Sequence, residues 1–419
     1  MHLISWIHAA ILVDDMSAPT SIPSGSESAR GNINGVDRLS SLCDELLHHV
    51  MSFLPMPEVV RTSLLSPRWR NLWASTPFIH IDDQDFLDEN HPSGQDDEKL
   101  EMFGDNLLLL RDGAVCLDEA RIYITHEGER KCSVWIRHAI KHKVRLLHVY
   151  GSGIEIYPFL DSTGMFPSQH LKIIRLHSLE LTCGFFRPLN NDCHVLENLE
   201  LKDCNLCDPS QEISSVSLKV LRIVRGIIEG LLICARNLTN ISIIYPNYDG
   251  AIVTRDLSSL VTASVIINSH QGSDIIVGGH RLLDGLSHAT TLELHAPLHE
   301  LTFERSLKTC PMFSNLTSLA LGDWCTAADF YPLLHILHRS PKLKELSVKL
   351  KMEECSLCKE SVLLSSRGTL SSTGSYPSIE RIEISCRKED PRVGALVQAL
   401  LPIINPDGKI SIKRVANLC

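Results

Sequence analysis

Two hydrophobic rhythms run along the chain, one after the other. In the first, Leu46, Leu47, Val50, Met51 and Leu54 fall at i, i+1, i+4, i+5 and i+8, one face of a helix. Asp44 and Glu45 suit its positive N-terminal end. Pro55 stops it, because proline disfavours helical geometry in the residue before it. Pro57 can open a second helix at its first position, with Val59, Val60 and Leu64 as the apolar stripe. Ser66 followed by Pro67 reads as an N-cap and first helical residue of a third helix, which carries Trp69, Leu72 and Trp73. A segment this small is marginal alone, and its surplus of apolar side chains implies a partner.

The second rhythm places apolar residues at a, a+3 and a+5. It recurs from Val144, Leu171, Leu196, Leu218, Leu238, Leu260, Ala289, Leu316, Leu343 and Ile379, with starts 20 to 36 residues apart. Alternate residues of a strand point to opposite faces, so a+3 and a+5 enter a core together. A+2, a+4 and a+6 then point outward. The unit from Leu196 fits the long leucine-rich-repeat signature best, through Leu199, Leu201, Cys204 and Leu206. The units from Leu260 and Ala289 fit worst, which leaves the register at residues 260–294 open. Residues 131–149 and 330–348 each read as helix followed by strand, and residues 391–413 as a helix and a strand that cap the end.

The predicted fold is α/β: a three-helix N-terminal unit followed by a curved leucine-rich-repeat solenoid with a parallel sheet on its concave face. The expected divisions are a disordered segment at 1–36, the helical unit at 37–76, an acidic linker at 77–112 and the solenoid at 113–350. A flexible loop at 351–375 and the last repeat with its cap at 376–419 complete the chain. The outward positions of the middle repeats form the expected target-binding surface: Arg175, Glu200, Val220, Arg222, Val224, Ser242, Ile244, Ser264 and Ile266. They place small or apolar side chains at the centre with charges beside them, the anatomy of a protein-binding patch.

A family resemblance enters with residues 37–73, "DRLSSLCDELLHHVMSFLPMPEVVRTSLLSPRWRNLW". This stretch resembles the F-box, particularly its plant form. The matching positions are Leu42, Asp44-Glu45-Leu46, Val50, Leu54-Pro55, Val59, Leu65-Ser66 and Arg68-Trp69. Cys43 stands where the family usually has proline, and Pro67 where it usually has lysine or arginine. The resemblance implies binding to a Skp-type adaptor and, through it, to cullin and RING subunits. Leu42, Leu46, Val50, Leu54, Pro55, Val59, Leu64, Leu65 and Trp69 are the residues expected at that interface. An F-box followed by irregular leucine-rich repeats is similar to the organisation of a large plant family. Members of that family act as substrate-recognition subunits of SCF ubiquitin ligases, delivering a target protein for ubiquitination and degradation. We find no match to the extra C-terminal module that some members carry.

The chain has 419 residues, 44% hydrophobic and 21% charged, with a net charge of −10. No basic field exists to hold a phosphate backbone, so nucleic acid is not an expected partner. The fourteen cysteines are too scattered for a stapled scaffold and several, such as Cys183, Cys234 and Cys386, lie in apolar runs. A reducing compartment, cytoplasm or nucleus, follows. The apolar stretch 3–13 lacks a positive n-region and is too short to span a bilayer, so no membrane partner is expected. It reads instead as an upstream extension without a structural role.

No residue pattern argues for catalysis or a cofactor. Cys204/Cys207 and Cys355/Cys358 are two C-x-x-C pairs, but they lie about 150 residues apart. They read as unrelated thiols, with the second pair the better zinc candidate. His335/His338 and His48-His49 read as structural or surface histidines, and Gly151–Gly153 as a turn. Asn237, Asn240 and Asn315 begin N-x-S/T sequons, the feature that supports an alternative: a secreted or membrane-associated leucine-rich recognition protein. A second alternative is an F-box receptor whose target surface is completed by a small molecule.

Overall fold

A computed structural model describes residues 38–86, 95–124, 129–156, 168–181, 184–208, 210–244, 247–248, 252–266, 279–295, 310–322, 330–350 and 377–414. The 1–36 segment, the loop at 351–375 and Cys355/Cys358 fall outside the described residues. The chain divides into two units, Met1–Ile154 and Glu155–Cys419.

The first unit opens with helices Asp44–Met51 and Met56–Arg61, followed by 3₁₀ turns at Thr62–Leu64 and Trp69–Ser75. The last of these replaces the expected third α-helix, and Ser66 makes no side-chain cap on it. Three residues per turn bring i and i+3 onto one line. Trp69, Leu72 and Trp73 thereby reach the core together, at 4%, 6% and 4% exposure. Leu47, Met51, Met56, Val59 and Val60 complete that core.

Within 77–112, where a linker is expected, the described residues form a strand, a 3₁₀ turn at Asp83–Phe86 and a helix. Strand Phe78–Asp82 pairs in parallel with Glu119–Ile124, which pairs with Leu146–Ile156. The acidic run opens helix Gln95–Leu110, whose Leu100, Phe103, Leu107 and Leu108 are buried at helical spacing. The apolar stripe outweighs the acidic composition that read as a connector. Gly104 is required here, because a Cβ at this position would lie 2.6 Å from the Trp135 ring. Trp135 belongs to helix Glu129–Lys141 and donates to Asp105 Oδ1 at 3.2 Å. The helix end is tied back to the N-terminal helical segment by Arg111, which donates to the Thr76 carbonyl, and by Asp112 N–H to Ala74 O at 2.9 Å. Burial lowers the Arg111 pKa to about 10. Gly151–Gly153 lie inside strand Leu146–Ile156 rather than in a turn.

The second unit is built on one parallel ladder. Strands Ile173–Leu181, Asn198–Lys202, Val220–Val224, Asn240–Ile244, Thr262–Ile266, Thr291–His295, Ser318–Leu321, Glu345–Lys349, Ile379–Cys386 and Ile404–Arg414 follow one another in chain order. Every a, a+3 and a+5 side chain of these repeats up to Ile379 is buried to 2% exposure or less. That includes Leu260, Ala263 and Val265, and Ala289, Leu292 and Leu294, so the open register at 260–294 resolves as the template drew it. Stacked rows of this kind bury a continuous core that no single repeat possesses.

Behind the ladder the expected helix–strand alternation holds only in part. Helices Phe186–Asp192, Gly279–Leu286, Tyr331–His338 and Arg392–Leu400 occur where repeats are long. Between them lies a second parallel sheet of three strands, Gln211–Ile213, Leu231–Cys234 and Ile252–Arg255. The starts Leu196, Leu218, Leu238 and Leu260 are only 20 to 22 residues apart. An extended return covers about twice the distance per residue of a helix, so the short repeats close with strands.

Candidate protein-interaction surfaces

The helical stripe read from the sequence splits into two faces. Leu47 and Met51 are fully buried, whereas Leu46, Val50 and Leu54 are 50%, 45% and 36% exposed. Phe53, a residue the sequence reading did not single out, is 75% exposed and packs edge-on against His49 with ring centroids 5.0 Å apart. Leu64 and Leu65 are exposed beyond the second helix, and Pro55 before it; Leu42 is half-buried. Val59 and Trp69 belong to the core instead, which removes their side chains from the expected interface. Of the fifteen large apolar side chains exposed among the described residues, seven lie between Leu39 and Leu65. Such concentration on so short a segment makes it a candidate interaction surface.

Side-chain hydrogen bonds hold the segment that carries that face. Arg68 donates to the carbonyls of Ser40 and Leu42 and to Asp44 Oδ1 at 2.8 Å, fixing the entry to the first helix without a side-chain cap from Cys43. The Trp69 indole donates to Ser40 Oγ at 3.0 Å, and His48 Nε2 meets Leu72 O at 3.2 Å.

The second surface is the outward side of the ladder in the Glu155–Cys419 unit. Pairing aligns Arg175, Glu200, Arg222, Ser242, Ser264 and Glu293 into one row. Val220, Asn240 and Thr262 form the row on one side, and Lys202, Val224, Ile244 and Ile266 the row on the other. All nine residues expected at the target surface therefore share this face, and none is fully buried. Glu200 stands between Arg175 and Arg222 at 3.8 and 3.9 Å, so that row is largely neutralised within itself. Glu293 accepts from Ser264 Oγ at 2.7 Å and contacts His295 Nε2 at 3.2 Å, and these contacts lower its pKa.

None of the described cysteines is in a disulfide. Burial pushes the thiols of Cys132 and Cys204 up to about 12, and those of Cys193 and Cys310 to about 11. Cys204 is only 2% exposed and serves its repeat, donating to Leu176 O at 3.3 Å. No group of three or more potential metal ligands occurs among the described residues. Of the sequon asparagines, Asn237 donates to Val216 O at 2.7 Å. His335 is buried and His338 half-buried on helix Tyr331–His338. No helix among the described residues is long and apolar enough to cross a membrane.

Comparison with known proteins agrees with this division. The F-box domain family matches residues 39–81, the helical segment with the exposed apolar face and the strand after it. A meiotic F-box protein from rice, Oryza sativa subsp. japonica, is 27% identical over 398 residues, covering 85% of this chain and 81% of its own length. An F-box/FBD/LRR-repeat protein from Arabidopsis thaliana is 26% identical, covering 76% of this chain and 78% of its own. An F-box/LRR-repeat protein from the same plant reaches 53% identity, over 51 residues that make up 12% of this chain and 11% of the relative. The chain carries an F-box domain and is homologous, at modest identity over most of its length, to plant F-box proteins, among them one named for F-box, FBD and LRR-repeat modules.

Proposed function

We propose that this chain is a non-catalytic substrate-recognition subunit of an SCF-type ubiquitin ligase. The F-box binds a Skp-type adaptor, which connects to cullin and RING subunits in the cytoplasm or nucleus. The ladder is the concave face of a leucine-rich-repeat solenoid and holds the target protein. The observation that carries this reading is the outward face of Leu46, Val50, Phe53, Leu54, Leu64 and Leu65. It lies within the F-box match and needs a partner to cover it. Catalysis would reside elsewhere: holding a target beside a charged ubiquitin carrier raises its effective concentration and requires no nucleophile in this chain.

Affinity purification of the tagged full chain from plant cells tests the assignment. Co-recovery of adaptor, cullin and RING subunits, lost together on Leu46→Glu/Phe53→Glu substitution, is the expected outcome. Recovery of N-glycosylated chain without those subunits would support the secreted alternative instead.

A further inference from the structure

The ladder of the second unit stays open at its last described strand. Ile404–Arg414 pairs along one edge with Ile379–Cys386, and among the described residues nothing pairs with its other edge. The core rows stop there unfinished. Ile382 and Ile384 are at 0% exposure, whereas their partners in the last strand, Ile410 and Ile412, are half-buried and 42% exposed. Stacked repeats need a terminal element that covers the last row. An uncovered strand edge is also a row of backbone donors and acceptors available to another chain.

This edge has a definite charge. Residues 408–414, "GKISIKR", hold three cations and no carboxylate, in a chain of net charge −10. On the outward face Lys409 stands directly opposite Arg381, a like-charge pairing that costs stability. Arg381 turns to Glu345 at 3.1 Å, and Lys413 to Glu383 at 2.8 Å. Lys409 reaches no carboxylate among the described residues. A second copy of the chain fits this edge poorly. Two-fold pairing centred on Ser411 would join the Ile410 and Ile412 rows, but it would set Lys409 against Lys413 on both sides. A foreign strand with an acid in that place joins the same rows and balances Lys409.

We propose that the open edge of Ile404–Arg414 is a docking site for an extended acidic segment of a partner protein, which joins the ladder as a further strand. Two apolar side chains of that segment, one residue apart, pack against Ile410 and Ile412, and a carboxylate next to the pair meets Lys409. Main-chain hydrogen bonds supply affinity, and the alternate side chains supply specificity. Lys409 and Lys413 also reject a basic strand or a second copy through like-charge repulsion. The site is separate from the outward face of the ladder and does not rest on the reading of that face as target-binding.

The test is selection of random peptides displayed on phage against the purified full chain. The enriched peptides are synthesised, and their binding is measured to wild type, Lys409→Glu and Ile412→Ser, each verified by its melting transition. Amide hydrogen exchange across residues 404–414 is followed with and without peptide. The expected result is enrichment of apolar pairs one residue apart with Asp or Glu beside them, and slower exchange in 404–414 when such a peptide is added. Affinity should fall at least tenfold in each variant, and replacing the acid of the peptide by lysine should restore binding to Lys409→Glu. No enriched peptide that slows exchange at 404–414 would overturn the proposal. Peptides that bind both variants as they bind wild type, or that lose affinity for Ile412→Ser alone, would overturn it too. Exchange across 404–414 already slow on both edges without peptide, with a dimer by light scattering, would assign the edge to a second copy instead.

Discussion

Asp203 and Arg225 hold the same place in consecutive repeats and are joined by two hydrogen bonds, Nε to Oδ1 at 2.5 Å and Nη2 to Oδ2 at 2.7 Å. Both backbones are left-handed, with φ of 54° and 57°, as is Ser178 one repeat earlier at 54°. Asp203 and Arg225 each turn the chain out of its strand, and the N–H then reaches the last strand carbonyl of the next repeat: Asp203 to Val224 O at 2.8 Å, and Arg225 to Ile244 O at 2.7 Å. The backbone geometry, not the exposed ion pair, is the costly part to disturb. An exposed pair contributes about 0–1 kcal/mol. A β-branched residue forced into left-handed geometry loses about 1–2 kcal/mol. Asp203→Val is expected to destabilise the second unit more than Asp203→Asn does, measured by denaturant unfolding. Equal losses would return the weight to the ion pair.

Gly226 follows that turn with φ of 98°, and a Cβ there would stand 2.0 Å from the Cys204 carbonyl oxygen. Gly226→Ala combines an unfavourable φ with a backbone clash. It is expected to cost at least about 2 kcal/mol and to lower the melting temperature by several degrees. Gly394, in helix Arg392–Leu400, has nothing within 4 Å, so Gly394→Ala is the control and should be neutral or stabilising.

His80 and His138 in the first unit are both held down to about 4, chiefly by burial; nearby Arg121 adds for His80, and His142 adds for His138. At neutral pH His80 is therefore uncharged, and its 3.9 Å approach to Glu119 is not an ion pair. Both residues take up protons near pH 6.5 when unfolded and only near 4 when folded. Unfolding thus binds protons between those values, and stability is complete above pH 6.5 and falls as pH drops toward 4. Unfolding free energies of the first unit at pH 7 and pH 5 should show this loss. The His80→Gln/His138→Gln variant should flatten the slope, and an unchanged slope would refute the assignment.

The ladder was open to reading because its period is short and its constraint strict. Leu199 and Leu201, or Ala263 and Val265, can alternate only one way without exposing a core row, and the outward residues Arg222, Ser242 and Ser264 follow from that alternation. Composition misled where local polarity hid a periodic stripe: Leu100, Phe103 and Leu107 define a helix whose acidic opening reads as a linker. In the F-box, the pattern located the helix but not its core-facing line. Leu46, Leu47, Val50 and Met51 are equally apolar, and only the packing of Trp69 and Trp73 decides which pair turns inward. Phe53, at i+7 from Leu46, was not among the counted positions of the stripe and was missed for that reason. The left-handed backbones of Ser178 and Asp203 have no adjacent glycine to announce them.

Burial separates two classes of F-box substitution. Val59→Ala and Trp69→Ala remove core volume and should cost about 2–5 kcal/mol, lowering the melting temperature of the first unit. Leu46→Glu and Phe53→Glu act on exposed positions and should leave that transition within about 0.5 kcal/mol of wild type. A large loss of stability from Phe53→Glu would show that its ring is core after all.

The most direct measurement of the central claim is titration of the purified full chain with a Skp-type adaptor by isothermal calorimetry, for wild type and for Leu46→Glu/Phe53→Glu. A one-to-one complex with a negative heat-capacity change is expected for wild type, since apolar surface is buried on association. The variant, with an unaltered melting transition, should show no binding. Wild-type affinity retained in that variant, or no complex with the wild-type chain, would contradict the account.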